Sequence, residues 1–230
     1  MISWISSFFA LLFPRSCVIC NGPLHTGDDS ICLQCNIGLP RTNYHLWKDN
    51  PVEKLLWGRI PLTRATAFFF YSRGSDFKNV LYPLKYKGDQ ELGEYMGRFI
   101  ATELYPHGFF DGIDIIVPIP LHKKKFKKRG YNQSERIAKG ITSITNIPVD
   151  TSSVIREINT ETQTRKSTFD RWENVSGIFR LKDAANITGK HILIIDDVLT
   201  TGATTTSLCE VFQGVEGLRI SVLALAVAQQ

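Results

Sequence analysis

Two adjacent carboxylates, Asp196 and Asp197, end a run of branched apolar residues, Ile192-Leu193-Ile194-Ile195. After Val198 and Leu199 comes Thr200-Thr201-Gly202-Ala203-Thr204. Carboxylates accept the hydrogen bonds that sugar hydroxyls donate. The threonine hydroxyls and the loop N–H groups are donors, and Gly202 lets backbone come close to a ligand. The loop opens a helix, whose N-terminus favours an anion. The whole suits a sugar with a phosphate beside it. A strand followed by a helix N-cap explains one Asp or one Thr, but not this combination. A Walker loop is excluded, because no Gly-Lys-Ser/Thr is present.

A second chemical segment begins at Pro118-Ile119-Pro120-Leu121-His122 and runs through Lys123-Lys124-Lys125-Phe126-Lys127-Lys128 to Arg129-Gly130-Tyr131-Asn132-Gln133. Read alone, the lysines are either a solvated basic face or part of an anion site. Arg129 has the planar fork that grips phosphate, Gly130 frees the backbone, and Asn132 and Gln133 open the next helix. A third segment, 159–177, is polar, with Thr160, Thr162, Gln163, Lys166, Arg171 and Asn174. It reads as a functional or mobile loop, or as a plain surface excursion. A fourth is Cys17-x-x-Cys20 with Cys32-x-x-Cys35. Two such knuckles can aim four thiolates at one tetrahedral Zn²⁺. Two disulfides are the alternative, which a cytoplasmic location disfavours. His25 reads as a solvated loop residue and Cys209 as a buried packing thiol.

The elements that must position these groups follow from periodicity. Ile113–Val117, a weaker run near Ser153–Ile155, Ile192–Ile195 and Ile220–Val227 read as strands, and Phe68–Tyr71 could add another. Phe77–Leu84, Gln90–Leu104, Gln133–Ile144 and Thr204–Phe212 read as helices. Apolar strand, helix, apolar strand in succession predicts a parallel sheet covered on both faces. The 230 residues, 43% of them hydrophobic and 21% charged, support a packed core, which excludes a disordered chain. A net charge of +5 permits an anionic ligand or weak nucleic-acid contact and demands neither. Met1–Phe13 is apolar but ends at Pro14 and Arg15, short of the roughly 20 residues that span a bilayer. It reads as a short amphipathic helix docked on the body, with a signal peptide or a membrane-surface anchor as alternatives. No transmembrane segment is expected, and the expected location is cytoplasmic.

Ile192–Thr204 resembles the signature of type I phosphoribosyltransferases, whose flexible lid corresponds by position to 159–177. The resemblance implies that Asp196 and Asp197 contact the ribose 2′- and 3′-hydroxyls of phosphoribosyl pyrophosphate or a related ribose phosphate. It puts the 5-phosphate on Thr200, Thr201, Gly202, Ala203 and Thr204, and Mg²⁺ on the pyrophosphate and ribose oxygens. The order P-I-P-L-H then R-G-Y-N-Q, with Leu84-Lys85-Tyr86-Lys87-Gly88 upstream and Gln163, Arg171 and Asn174 downstream, resembles the ComF family over nearly the whole chain.

That family implies an α/β fold, a type I phosphoribosyltransferase-like parallel sheet flanked by helices, with a small N-terminal four-cysteine zinc finger. The chain would divide into a docking helix (1–13), the finger (14–40) and the main domain (41–230). The main domain would comprise a helical or hood portion (41–110) and the α/β core (111–230). Trp47, Trp57 and Phe68–Tyr71 are either acceptor-recognising or core aromatics. The resemblance assigns catalysis to Asp196, Asp197 and Arg129, and ligand contacts to Pro120, Gly130, Asn132, Gln133, Lys85 and Arg171 as well as the threonine loop. It assigns the structural Zn²⁺ to Cys17, Cys20, Cys32 and Cys35. It leaves two functions open. One is transfer of a phosphoribosyl group to an unnamed acceptor. The other is a binding role in natural transformation, with imported single-stranded DNA and the competence helicase machinery as partners.

Overall fold

The computed structural model describes residues 15–72, 74–158 and 177–229. The expected docking helix and most of the expected lid, with Gln163, Arg171 and Asn174, lie outside them.

The described elements are α1 (Leu33–Ile37), α2 (Pro51–Leu56), β1 (Leu62–Tyr71), α3 (Lys78–Tyr82), a π-helical turn (Pro83–Lys87), α4 (Gln90–Leu104), β2 (Ile115–Pro118), α5 (Lys123–Arg129), α6 (Gln133–Thr145), β3 (Val154–Arg156), β4 (Phe179–Leu181), β5 (His191–Leu199), α7 (Ala203–Glu210) and β6 (Arg219–Ala228). Four strands form one sheet in the order β1-β6-β5-β2, every neighbouring pair parallel. The expected parallel sheet with helices on both faces is present.

Side chains alternate across a strand, and β5 shows how that builds two cores. Leu193 and Ile195 join Ile116, Leu223 and Leu225 on one face, under α3, α4 and α6. Ile192 and Ile194 join Ile115, Val117, Val222 and Ala224 on the other, under α2 and α7. Each core is built from largely apolar rows, as a sheet buried on both sides requires, with Thr66 and Ser221 as buried polar members. The cysteine-bearing segment adds Cys17 and Ile31 to the α3–α4 side. The Asn79 side chain of α3 also donates to the Ile19 carbonyl at 2.9 Å.

Helices α4 and α6 touch backbone to backbone. A methyl group on Gly97 would land on the Ile137 carbonyl, and one on Gly140 would land on the Glu94 carbonyl. Glycine is therefore required at both positions for this helix spacing.

Several elements differ from their sequence reading. The weak strand near Ser153–Ile155 is Val154–Arg156, and it pairs antiparallel with β4 in a separate ribbon instead of joining the main sheet. The Phe77–Leu84 helix stops at Tyr82, where Pro83 removes the next backbone donor, and the chain continues as the π turn. The lysine run is itself a helix, α5. Lys and Arg are good helix formers, the His122 side chain accepts from the Lys124 N–H at 3.2 Å, and Gly130 closes the helix at φ 81°. Cations in its last turn also suit the helix dipole. Trp47 and Trp57 are each 53% exposed, so neither is a core residue, whereas Phe68 and Phe69 are buried.

Candidate functional site

Strand β5 runs on through the acid pair to Leu199, because β6 keeps pairing with it past Asp196↔Ala224 to Leu199↔Val227. On its other side β2 ends at Pro118↔Ile195. The helix α6 that follows β2 packs on one face of the sheet, and the helix α7 that follows β5 packs on the other. The crevice between two such strands is where open parallel sheets bind ligands. Asp196 and Asp197 sit in the gap that β2 leaves.

Alternation sends the two carboxylates to different faces. Asp197 shares its parity with Leu193 and Ile195, on the face that carries the π turn, and Lys85 Nζ lies 3.1 Å from its Oδ2. Asp196 shares the parity of Ile192 and Ile194, on the face that carries Val154 and Phe179 from the ribbon. Arg156 extends from that ribbon close enough for its charge to act on Asp196. Asp196 is 8% exposed, and its Oδ1 accepts the Asp197 N–H at 2.8 Å. Burial, and then the Asp197 charge, push its pKa up to about 7, against the backbone hydrogen bond, Lys85 and Arg156.

Cations converge on this pair. Lys125 and Arg129 are one turn apart on α5, so they share a face. Burial, with Arg156, Arg129 and Lys85 nearby, pulls the Lys125 pKa down, while Asp197 opposes the fall. Arg129 lies 5.7 Å above the Tyr86 ring and donates to Gln133 Oε1 at 2.9 Å. Burial also lowers the Arg156 pKa, with Asp196 acting the other way; its guanidinium sits 5.3 Å over Phe179.

Asn132 and Gln133 brace this cluster. Asn132 donates to the Ile119 carbonyl at 2.9 Å and caps α6 by accepting from Ser134 N–H at 3.2 Å, which ties the Pro118–Pro120 turn to the helix. Gln133 is 1% exposed and holds Arg129. Pro120 is half-buried in the turn, and Gly130, in its left-handed conformation at the end of α5, is exposed.

The threonine loop follows the acid pair. Gly202 has φ 75°, a left-handed conformation that favours glycine, and a Cβ there would meet the Leu56 side chain at 3.0 Å. α7 starts at Ala203, whose N–H points to Thr201 Oγ1 at 3.4 Å. Arg59 donates to the Thr201 carbonyl at 3.2 Å. Thr200 is exposed, and Thr201 and Thr204 are half-buried. The hydroxyls of Thr205 and Thr206 are buried without a hydrogen-bond partner among the described residues.

Sequence reasoning does not single out Lys125, Arg156 or Arg59. Lys125 is legible in principle from its one-turn spacing to Arg129. Arg156 carries no signal, because the pairing of its strand does not show in the sequence.

The four cysteine sulfurs, Cys17, Cys20, Cys32 and Cys35, lie within 4.8 Å of one another, and all four are free thiols. A tetrahedral ion with Zn–S bonds of about 2.3 Å separates its sulfurs by about 3.8 Å. Cys20 and Cys32 are 3.8 Å apart. Backbone N–H groups of Gly22 and Cys32 point to the sulfurs of Cys20 and Cys17 at 3.4 Å. Burial would raise the Cys17 thiol, but hydrogen bonds from Cys20, Cys32 and Ile19 outweigh it and bring its pKa to about 7. The donor set and its spacing fit a zinc finger. Cys209 is a buried thiol pushed up to about 12 by its burial, as a packing residue.

No family model matches the chain. It is 28% identical over 197 residues to the DNA utilization protein YhgH of Escherichia coli strain K12, covering 84% of this chain and 82% of that one. It is 28% identical over 206 residues to the competence protein ComFC of Bacillus subtilis strain 168, covering 88% and 80%. Competence protein F of Haemophilus influenzae is 31% identical over 116 residues, 49% of this chain and 51% of that one. Among solved structures, a hypoxanthine phosphoribosyltransferase from Staphylococcus aureus aligns over 59% of this chain and 62% of its own at 17% identity, with a TM-score of 0.35. That likeness is too loose to bear on the fold, which rests on strand order, register and the acid pair on β5. The parallel sheet, the signature strand with its threonine loop, the four-cysteine cluster and two relatives at 28% identity over most of the chain support the ComF family and its phosphoribosyltransferase-like fold.

Proposed function

We propose that the chain binds phosphoribosyl pyrophosphate, or a closely related ribose phosphate, in the service of DNA handling during natural transformation. The observation that carries this reading is the acid pair at the open end of β5, with Lys85, Lys125, Arg129 and Arg156 around it. In this reading the ribose hydroxyls donate to Asp196 and Asp197. The 5-phosphate sits on the Thr200–Thr204 loop at the start of α7. The diphosphate meets Lys125 and Arg129, the latter held in place by Gln133 and Tyr86. Mg²⁺ takes oxygen ligands and usually arrives with substrate phosphates, so carboxylates facing a diphosphate suit it. When bound, it would neutralise part of that charge. The nucleic-acid side of the reading is supported by the names of the relatives and by the exposed lysines of α5, a pattern suited to phosphate contacts. The four-cysteine cluster is proposed to hold one structural Zn²⁺.

A second reading is a phosphoribosyl transferase with no DNA role, and the same ion cluster favours it. The C1–oxygen bond would break, pyrophosphate would leave with the bonding pair, and the acceptor's lone pair would form the new bond to C1. Asp196 and Asp197 would hold the ribose, and Arg129 and Lys125 would stabilise the leaving charge.

Calorimetry with phosphoribosyl pyrophosphate and Mg²⁺ tests the site common to both. Wild type should bind, and Asp196→Asn with Asp197→Asn should abolish the heat; undiminished binding by the double variant sinks the assignment. Release of pyrophosphate on adding an acceptor would favour the second reading.

A further inference from the structure

Two histidines far apart in the chain meet in the fold. His45 lies in a 3₁₀ turn, Tyr44–Leu46, and His107 ends another, Tyr105–His107, directly after α4. Their ring centroids are 5.2 Å apart and their planes are tilted by 54°. His45 also lies nearly parallel to the buried Phe68 ring, at 6.4 Å.

The nitrogens set this pair apart. His191 is fully buried, with one ring nitrogen against the Gly112 carbonyl at 3.0 Å and the other against the Ser221 hydroxyl at 2.8 Å. His122 uses its Nδ1 to cap α5. Neither ring of the His45–His107 pair has a hydrogen-bond partner among the described residues. His45 is half-buried and His107 is exposed, so a ligand can reach them from solvent. Two imidazoles on one ion, with metal–nitrogen bonds of about 2.0–2.1 Å, place their ring centroids roughly 4.5–5.3 Å apart. The observed spacing lies in that range.

Both turns are held from outside the pair. Arg41 bridges to Phe69 of β1 and donates to the Glu103 carboxylate at 2.9 Å and 2.7 Å. The buried Thr42 hydroxyl donates to the Ala67 carbonyl and accepts the Tyr44 N–H at 3.1 Å. Gly108 closes the second turn at φ 68°, and Arg64 holds the Gly108 and Phe109 carbonyls, each at 2.9 Å. Ligands fixed in this way need little ordering when an ion binds. Glu103 stands one turn before His107, and its charge reaches His45. It also offsets Arg41, so this ion pair brings no net positive charge to the site. Among the described residues no third metal-binding side chain completes the set, which leaves the remaining positions to water.

We propose that His45 and His107 form a second metal site, separate from the cysteine cluster, for a divalent transition ion of the Zn²⁺ kind, which imidazole suits. The ion would staple the segment before α2 to the end of α4. With two imidazoles against four thiolates it is the weaker site, and desalting strips it while the cysteine cluster keeps its own ion.

The test takes untagged protein equilibrated with one equivalent of Zn²⁺ and titrates it with more Zn²⁺, by calorimetry and by thermal unfolding. Wild type should take up about one further equivalent, and its thermal midpoint should rise with excess Zn²⁺. His45→Gln and His107→Gln should each weaken this second event at least about tenfold, because even an outer-shell partner of a metal ligand is worth that much. Each should also cancel the rise in midpoint. His107 is exposed, so His107→Gln keeps the test open should His45→Gln fail to fold. Mg²⁺ in excess should leave the second event intact, since it takes oxygen ligands. A wild type that takes up no further Zn²⁺ overturns the proposal. So does a second event kept by either folded variant, which places the ion on a lone histidine or elsewhere, and so does displacement by Mg²⁺.

Discussion

Asp196→Asn should make the protein more stable at pH 8 than at pH 5 relative to wild type. In the fold, burial and the neighbouring Asp197 charge raise the Asp196 pKa from 3.8 to about 7. Between those two values the native state keeps a proton that the unfolded chain has lost. Wild-type stability from this group is therefore full below about pH 4, declines as pH rises through about 7, and is level above it. At about 1.4 kcal/mol for each pH unit, the gap sets a ceiling of about 4 kcal/mol on what the buried charge costs. Asparagine carries no charge, and its Oδ1 can still accept the Asp197 N–H. The stability difference, variant minus wild type, should thus climb by about 2 to 3 kcal/mol between pH 5 and pH 8, the rest of the gap lying below pH 5. The climb is gradual, because the titration belongs to the pair and not to one residue. Urea denaturation at each pH gives the difference directly. A difference that stays flat across this range would refute the claim that Asp196 is held against its ionisation. The same buried acid should make ribose-phosphate binding strengthen as pH passes about 7 in wild type.

Two other perturbations probe parts of the fold away from the acid pair. Gly140→Ala drives a methyl into the Glu94 carbonyl of α4, and separating two packed helices should cost about 1–3 kcal/mol or more, read as a lower thermal midpoint; a midpoint unchanged from wild type would show that the helices are not in backbone contact. Metal analysis should find about one zinc per chain, and Cys20→Ser should lose it with a marked fall in stability; a metal-free wild type that is stably folded would contradict the proposal.

The sheet is legible in the sequence because its rows are long and branched. The acid pair is legible because two carboxylates at the end of such a row need a ligand to explain them. What stays hidden is mostly a matter of pairing. Asp196 and Asp197 read as residues just past a strand, yet β6 supplies Ala224, Ala226 and Val227 opposite that stretch and keeps it extended. β1 reads as Phe68–Tyr71 alone because Thr63, Arg64 and Thr66 dilute its earlier half, but β6 pairs with it from Leu62 onward. β4, Phe179–Leu181, is too short to show a period, so nothing in the sequence marks it as the partner that draws β3 away from the main sheet. Arg156 stays hidden with that strand. The basic run misleads in the opposite way. Six cations among seven residues suggest a solvated segment, whereas the caps at His122 and Gly130 make it a helix that turns Lys125 and Arg129 inward.

The parity of β5 explains why the two acids differ. Neighbouring residues on a regular strand alternate between its faces, so Asp196 and Asp197 meet different cores. Asp196 enters the face shared with the ribbon, is buried, and is only partly ionised near neutral pH. Asp197 enters the face shared with α4, α6 and the π turn, and is paired with Lys85. That second face is also the one on which Cys17 and Ile31 are packed, and the one that Asn79 ties to the knuckle carbonyl of Ile19. The cysteine cluster and the turn that carries Lys85, the partner of Asp197, therefore rest on one continuous core. Removing the proposed Zn²⁺ should loosen α3 and the turn that follows it before it disturbs Asp196, whose surroundings belong to the opposite core.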